Sequence, residues 1–319
     1  MKNGIILCVV FITGLVIGQV VTKLNSRDCS KRYSFINTSV VCDGQQVISK
    51  ASYDNFYYQL EKYINEEEQS NELYEISVYF RDLKNGPIFG FNELTEFIPA
   101  SLLKVPTVMV FLNSAENQPE LLTYKISYTG TTTVARQEVK PKESAKPNTL
   151  YTIEELLRLT LIYSDNASLN MLQTFLNENP QRLKLREETF QELGLIDPRT
   201  KSENTLTVRG YASLFRLLYN VSFLNAEMSE KILQWLAESD YQIGLRAGVP
   251  GNIKIAHKFG ERFFESDDVR QLHDCGIIYY PDNPYLLCVM TKGSDFNKLQ
   301  SVIQHISEMV YEEVDSRKI

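Results

Sequence analysis

Strand patterns near the start of the chain, and again near its end, constrain the fold more than any other feature of the sequence. From Leu73 to Phe80, alternate residues are apolar, at the period of a half-buried strand. An Asn-Gly turn within 84–87 leads to a short apolar run at 88–91, which predicts a hairpin. Three more strands are predicted at 253–258, 275–280 and 285–291.

Helical patterns fill the middle of the chain. Thr152 and Glu155 form a capping-box pattern before a leucine-rich stretch. Other helices are predicted at 53–64, 167–176, 207–219 and 229–237, and a last one carries apolar residues from Leu299 to Val310 on one face. This order predicts an α+β fold: an antiparallel sheet built from both chain ends and flanked by helices, with an inserted all-helical subdomain. We expect the active site in the cleft between them.

The first 22 residues contain an apolar run from about Ile5 to Val21. Such a run is either a signal peptide or a membrane anchor. The basic residues after it, from Lys23 to Arg32, conflict with the positive-inside rule for an exported domain. We predict a signal peptide or membrane anchor at 1–22, a polar connector at 23–69 and one large folded domain at 70–319. The domain is then extracytoplasmic, either membrane-anchored or secreted.

Charge and cysteine usage narrow the expected partners. The net charge is −7 and the basic residues are scattered, so nucleic acid is not an expected partner.

Of the five cysteines, Cys8 lies in the apolar run and four follow it. Cys29 and Cys42 are suited to a short disulfide loop, and free buried cysteines are an equal alternative for all four. No Cys-x-x-Cys motif or Cys/His cluster suggests a metal, and we expect no cofactor.

Ser101 and Lys104 begin an apolar run that reaches Leu112 and predicts a helix. Side chains three positions apart on a helix face the same way, so Lys104 is expected beside Ser101. A desolvated lysine can take the proton of a serine hydroxyl and make it a nucleophile. One chance Ser-x-x-Lys is expected in a chain this long, so the pair alone does not establish a site.

Two later segments carry further polar residues. Ser164 and Asn166 lie at a junction between predicted helices, where an N-cap is the simpler interpretation. Lys258 and Gly260 lie at the end of a predicted strand, where the lysine offers a cation and the glycine lets a ligand approach the backbone closely. A strand end followed by a turn is the simpler interpretation of that second segment.

Taken in order, the Ser-x-x-Lys, Ser-Asp-Asn and Lys-x-Gly segments resemble those of serine β-lactamases and penicillin-binding proteins, closest to class A β-lactamases. The resemblance covers roughly 73–314. It implies that Ser101 attacks a carbonyl group and that Lys104 activates it. It also implies that Ser164 relays a proton to the leaving nitrogen and that Asn166 positions the substrate's amide side chain.

The resemblance assigns the third segment to the substrate as well. It implies that Lys258 attracts the substrate carboxylate, with Phe259 and Gly260 beside the substrate. The backbone N–H groups of Ser101 and Glu261 would form the oxyanion hole.

The sequence departs from the family pattern at two points. Phe259 stands where the family usually has a threonine or serine hydroxyl, which removes one hydrogen bond to the substrate carboxylate, of about 1.5–3 kcal/mol. No water-activating glutamate with a following Leu-Asn pair occurs between Asn166 and Thr207; the nearest match is Glu203-Asn204. Slow deacylation is therefore expected.

These observations predict a penicillin-recognising serine hydrolase that forms an acyl-enzyme on Ser101 with a β-lactam or a D-Ala-D-Ala cell-wall peptide. β-Lactamase and D-alanyl-D-alanine peptidase activities both stay open. The alternative is a non-catalytic peptidoglycan-binding module that retains the fold. Arg246 is a weaker candidate for a carboxylate ligand, with a structural ion pair as its simpler role, and His257 is interpreted as a strand residue.

Overall fold

The computed structural model describes residues 33–38, 53–70, 72–84, 88–128, 137–195, 205–264 and 268–317. The strands within these ranges are β1 Leu73–Asp82, β2 Ile88–Phe91, β3 Glu96–Phe97, β4 Lys125–Tyr128, β5 Thr149–Thr152, β6 Leu206–Thr207, β7 Ile255–Phe264, β8 Val269–Ile278 and β9 Tyr285–Gly293. The helices are α1 Asp54–Glu68, α2 Lys104–Asn117, α3 Ile153–Ile162, α4 Asn166–Asn177, α5 Pro180–Glu192, α6 Val208–Tyr219, α7 Ala226–Ala237 and α8 Phe296–Ser316.

A five-stranded sheet joins the two ends of the described chain. Its strands run in the order β2-β1-β9-β8-β7, and all neighbouring strands are antiparallel. The strands β1 and β2 come from before the helical block, and β7 to β9 come from after it. The prediction of an α+β fold, with an antiparallel sheet built from both chain ends and a helical subdomain inserted between them, is confirmed.

Helices cover both faces of the sheet. On one face, Ile76, Val78 and Phe80 of β1 share an apolar cluster with residues of α1 and α8. On the other face, Tyr79 shares a second cluster with the helical block. The prediction of a half-buried β1 is therefore wrong, because even Ser77 on the second face is 0% exposed.

The strand β7 is longer than the sequence pattern predicts. Its pairing with β8 continues from Ile255 opposite Ile278 to Phe264 opposite Val269. Lys258 and Gly260 consequently lie within the strand, and the interpretation of this segment as a strand end and turn is wrong. The ladder of backbone hydrogen bonds continues past the apolar stretch on which the prediction rested.

Helix α5 has no counterpart among the predicted helices. Asn179 caps it by accepting hydrogen bonds from the backbone N–H groups of Gln181 and Arg182, and Pro180 occupies its first turn. Among its residues only Thr189 and Phe190 are buried. A helix this polar lacks the apolar stripe by which the others were predicted.

A disulfide joins Cys275 of β8 to Cys288 of β9. The two residues are direct partners in the antiparallel register, and both are fully buried. The alternative of free buried cysteines is therefore wrong for this pair. Cys29 and Cys42 lie outside the described residues.

The described part of the chain begins before the predicted domain start. Helix α1 lies in the stretch predicted as a connector, and it buries Phe56, Leu60 and Ile64 against the sheet. The N-terminal apolar run lies outside the described residues. Within the ranges given above, no helix combines the length and apolar character that a membrane span requires.

Candidate active site

Ser101 lies in a 3₁₀ turn, Ala100–Leu103, that continues directly into α2. The predicted helical placement of Ser101 and Lys104 is therefore confirmed. Ala100, just before the serine, has a φ of 48°, a left-handed conformation that residues other than glycine rarely adopt. Such strain costs on the order of 1–3 kcal/mol and tends to occur at functional sites. Ser101 itself is half-buried, so part of its surface stays open to a ligand.

The Lys104 side chain is fully buried and surrounded by polar oxygens. Its Nζ lies 3.0 Å from Ser101 Oγ and 3.0 Å from Ser164 Oγ. It also donates to the Ser164 carbonyl oxygen at 2.5 Å and to Asn166 Oδ1 at 2.7 Å. Burial, reinforced by the nearby charge of Lys258, holds the pKa of Lys104 well below its usual value. A lysine with such a pKa can serve as a base.

The junction between α3 and α4 presents Ser164 and Asn166 to Lys104. Asp165 between them is the N-cap of α4 and accepts hydrogen bonds from Ala167 N at 3.2 Å and Ser168 N at 2.8 Å. The N-cap interpretation is thus correct for Asp165, while its two neighbours face the lysine. Ser164 has a φ of 53°, a second left-handed residue at the site.

Lys258 reaches the same hydroxyl from the sheet. Its Nζ donates to Ser164 Oγ at 2.9 Å and to the Phe259 carbonyl oxygen at 2.8 Å, and it lies 4.1 Å from the centroid of the Phe259 ring. Burial lowers the pKa of Lys258 from 10.5 to about 7. Burial thus favours the neutral form of Lys258 more than that of an exposed lysine.

Gly260 allows β7 to approach the turn that carries Ser101. A Cβ at this position would lie 2.8 Å from the Pro99 carbonyl oxygen and 2.9 Å from Leu102 Cγ. Any side chain would push the strand away from the turn. The sequence suggested that Gly260 lets a ligand approach the backbone closely. In the structure, the turn at Pro99 and Leu102 makes this close approach.

The ring of Phe259 faces the core. It is 1% exposed and stacks on Tyr241 with the ring centroids 4.1 Å apart. It belongs to the apolar cluster shared with α1 and α8. The position therefore supplies no hydroxyl to the cleft.

Residues 137–145, here called the strap, join the two sides of the site, and nothing in the sequence predicts this. Gln137 Nε2 donates to the Ser164 carbonyl oxygen at 3.2 Å, and Val139 N donates to the Glu261 carboxylate at 3.1 Å. Further along, Ser144 Oγ donates to Asp165 Oδ1 at 2.6 Å. The strap therefore holds the Ser-Asp-Asn junction and strand β7 together.

Burial raises the pKa of the Glu261 carboxyl to about 7, against the lowering effect of its backbone hydrogen bonds to Val139 and Glu138. Its side chain is thus part of the strap's attachment, a role separate from the backbone N–H group predicted for the oxyanion hole.

The two weaker candidates do not join the site. Arg246 donates to the carbonyl oxygens of Val249, Pro250 and Ile253, so its guanidinium closes a loop. His257 is buried, and its Nδ1 lies 2.9 Å from Asp274 Oδ1. In the described part of the chain, no group of three or more His, Cys, Asp and Glu residues is arranged to hold a metal ion.

The chain is similar to known proteins in both sequence and fold. A curated beta-lactamase of Bacillus licheniformis is 27% identical over 229 residues, which cover 68% of this chain and 71% of that protein. A solved class A beta-lactamase from Mycobacterium abscessus is 24% identical with a TM-score of 0.68, covering 80% of this chain and 99% of the other. The structure of PBP-A is 22% identical with a TM-score of 0.66, covering 85% and 100%. These two structural likenesses establish the fold.

The sequence model of the Beta-lactamase2 family, described as a beta-lactamase enzyme family, matches residues 59–314. The match includes the Ser-x-x-Lys, Ser-Asp-Asn and Lys-x-Gly segments, and it covers most of the sheet and of the helical block. With well over half of the chain matched, the protein belongs to the beta-lactamase enzyme family.

Proposed function

We propose that the chain is a penicillin-recognising serine hydrolase that forms an acyl-enzyme on Ser101. The observation that carries this proposal is the 3.0 Å distance between Ser101 Oγ and the buried Nζ of Lys104. A hydroxyl beside an amine of lowered pKa is the arrangement that nucleophilic catalysis by serine requires. The partial exposure of Ser101 leaves a path for the substrate.

Acylation begins when Ser101 Oγ forms a bond to the substrate's carbonyl carbon. The hydroxyl proton passes to the neutral Nζ of Lys104, and the carbonyl electron pair moves onto its oxygen. The backbone N–H groups of Ser101 and Glu261 are the proposed donors to that oxyanion, a contribution that is often the largest single term in acyl transfer.

The tetrahedral intermediate then loses its nitrogen. The C–N bond breaks as the Ser164 hydroxyl gives its proton to the leaving nitrogen, and an ester on Ser101 remains. Ser164 regains a proton from Lys104 or Lys258, whose Nζ atoms lie 3.0 and 2.9 Å from its oxygen. General acid catalysis of this kind contributes about 10²–10⁴-fold.

The substrate is proposed to be a β-lactam or a cell-wall peptide that ends in D-Ala-D-Ala. The beta-lactamase name of the Bacillus licheniformis relative supports the β-lactam class. Asn166 is proposed to hold the substrate's amide side chain, and Lys258 to favour its carboxylate. Since Phe259 offers no hydroxyl, we expect weaker carboxylate binding than in family members that have one.

The two activities differ in deacylation. A β-lactamase must hydrolyse the ester on Ser101 rapidly, whereas a peptidase retains a β-lactam adduct. The sequence between Asn166 and Thr207 lacks the usual glutamate signature, and Glu203 lies outside the described residues. We therefore propose slow hydrolysis of the β-lactam adduct.

A fluorescent penicillin tests the proposal. The wild-type protein should form one covalent adduct, visible after denaturing electrophoresis, and Ser101→Ala should form none. Ser114→Ala is a matched control on the same helix, because Ser114 Oγ donates to the Val110 carbonyl oxygen one turn earlier and lies away from Lys104. An unlabelled wild type, or equal labelling of Ser101→Ala, would refute the acyl-enzyme. The lifetime of the adduct, hours or seconds, then separates peptidase from β-lactamase.

A non-catalytic peptidoglycan-binding module remains the second candidate, because Phe259 and the missing glutamate signature depart from the family pattern. It predicts that Ser101→Ala and Lys104→Ala still sediment with purified peptidoglycan and that the wild type shows no turnover. Penicillin labelling of the wild type would reject it.

We propose an extracytoplasmic location, with residues 1–22 as a signal peptide or membrane anchor. The disulfide between Cys275 and Cys288 supports an oxidising compartment. Cell fractionation combined with N-terminal sequencing tests this. Recovery of the intact N-terminus in the membrane fraction indicates an anchor, and a shortened N-terminus in the soluble extracellular fraction indicates a signal peptide.

A further inference from the structure

A cavity of about 640 Å³ lies at the opposite edge of the sheet from Ser101. It is bordered by β1, β2 and α6, whereas the candidate active site lies against β7, the other edge strand. Its volume is in the range of small-molecule sites. None of the candidate catalytic residues lines it.

The charges around this cavity are mostly positive. Arg81 of β1 and Arg209 and Arg216 of α6 line it, and Glu93 is the one carboxylate among its described lining residues. Arg209 Nη1 lies 2.9 Å from Glu93 Oε1, so that carboxylate is already paired. The cavity thus has an excess of two positive charges in a protein whose net charge is −7.

Two of the three guanidinium groups lack a charged partner among the residues that the structure describes. Neither Arg81 nor Arg216 forms an ion pair there, and Arg216 Nε is buried without a hydrogen-bond acceptor. Buried donors of this kind are normally satisfied, and their exceptions call for an explanation. Three guanidinium groups that line one cavity offer charged N–H donors to an anion.

We infer that this cavity is a second binding site, which takes a small dianion of the phosphate monoester type through Arg81 and Arg216. A phosphate monoester carries a charge of about −1.5 to −2 at pH 7, which matches the excess charge of the cavity. A monoanion would leave one positive charge uncompensated. Guanidinium groups also fit phosphate oxygens with paired N–H donors. The site serves binding alone, and acylation of Ser101 does not depend on it.

Isothermal titration calorimetry at constant ionic strength tests the inference, with glycerol 1-phosphate as the probe and succinate and chloride as comparison anions. The wild type should bind glycerol 1-phosphate saturably and chloride not at all. Arg81→Gln should weaken binding about tenfold or more, because a hydrogen bond to a charged group is lost. Arg81 is the primary variant, since Arg216 also borders a neighbouring cavity that Glu192 lines.

Two further variants sharpen the test. Glu93→Gln removes the carboxylate that pairs with Arg209 at the cavity, so it should strengthen binding of glycerol 1-phosphate, the opposite direction to Arg81→Gln. Arg186→Gln is the matched control, because Arg186 lies on α5, outside the cavity, and hydrogen-bonds Asn177; its binding should equal that of the wild type.

Absence of saturable binding to the wild type would overturn the inference, as would equal affinities of Arg81→Gln and Arg186→Gln. Binding of succinate without glycerol 1-phosphate would overturn the phosphate assignment. Penicillin labelling of Arg81→Gln should match the wild type, and a loss of labelling would contradict the independence of the two sites.

Discussion

Lys104 and Lys258 place their side-chain nitrogens 3.0 and 2.9 Å from the same atom, the hydroxyl oxygen of Ser164. One lysine comes from the helical block and the other from the sheet. Burial disfavours the protonated form of both lysines, and the charge of Lys258 further lowers the pKa of Lys104. In the proposed mechanism, the pair supplies a base at Ser101 and a proton donor at Ser164.

Replacing Lys104 by arginine should nearly abolish acylation. Arginine stays protonated and cannot accept the proton of Ser101. We expect the acylation rate with benzylpenicillin in stopped-flow experiments to fall about 10²–10⁴-fold in Lys104→Arg. Lys184→Arg, on the exposed face of α5, is the control. Acylation within a few-fold of the wild type would show that Lys104 is not the base.

The acylation rate should also depend on pH in a definite direction. Lys104 acts in its neutral form, so the rate at saturating benzylpenicillin should rise with pH through the lowered pKa of Lys104 and then become constant. The plateau should begin well below pH 10.5. A rate that still rises at that pH, as for an ordinary lysine, would contradict the assignment.

Lys258 should make the free energy of unfolding depend on pH. With a folded pKa of about 7 against 10.5, the folded protein binds fewer protons than the unfolded chain between these values. Stability therefore rises with pH across this window, by up to about 5 kcal/mol at 1.36 kcal/mol per pKa unit. When the free energy of unfolding is measured by urea titration at several pH values from 7 to 10, it should rise less steeply with pH in Lys258→Met than in the wild type. Identical slopes would contradict the shift.

Glu261 should hold the strap less firmly once it is ionised. Burial raises its pKa to about 7 and outweighs its hydrogen bonds to the strap, so the closed site favours the protonated carboxyl. As the pH rises through 7, ionisation therefore favours release of the strap, where the carboxylate is solvated. Hydrogen exchange of the Val139 amide at pH 8 should be faster in the wild type than in Glu261→Gln, with little difference at pH 6.

The Ala145 amide provides an internal reference for that measurement, because it donates to Asp165 and has no contact with Glu261. Its exchange should not change in Glu261→Gln. Equal exchange of Val139 in both proteins at pH 8 would show that ionisation of Glu261 does not loosen the strap.

The disulfide between Cys275 and Cys288 should contribute measurably to stability. The two residues are 13 positions apart, and a closed loop of about that size is associated with roughly 3 kcal/mol. The Cys275→Ala/Cys288→Ala double variant should lose about this much unfolding free energy in guanidinium titrations. Reductant should destabilise the wild type and leave the variant unchanged; no difference between oxidised wild type and variant would contradict the estimate.

Local patterns were the predictable part of this molecule. The three-residue spacing of Ser101 and Lys104 fixes their contact through helix geometry alone, and the capping box of Thr152 and Glu155 forms as predicted. Ser164, Asn166 and Lys258 were found through the order of their segments. Their convergence on Lys104 depends on how sheet and helical block pack.

The features that could not be predicted from the sequence depend on partners far apart along the chain. Glu261 and Val139 are 122 positions apart, and no periodicity links them. The bond between Cys275 and Cys288 requires the register of β8 and β9, which the sequence pattern does not define. Helix α5 is polar, so propensity and capping at Asn179, not an apolar stripe, account for it.

Acylation of Ser101 is tested most directly by peptide mapping after brief exposure to benzylpenicillin. Trypsin releases residues 85–104 as one peptide, in which Ser101 is the only serine. This peptide should gain the mass of one penicillin, and fragmentation should place it on Ser101. An unmodified 85–104 peptide, with the acyl group elsewhere or nowhere, would contradict Ser101 as the nucleophile.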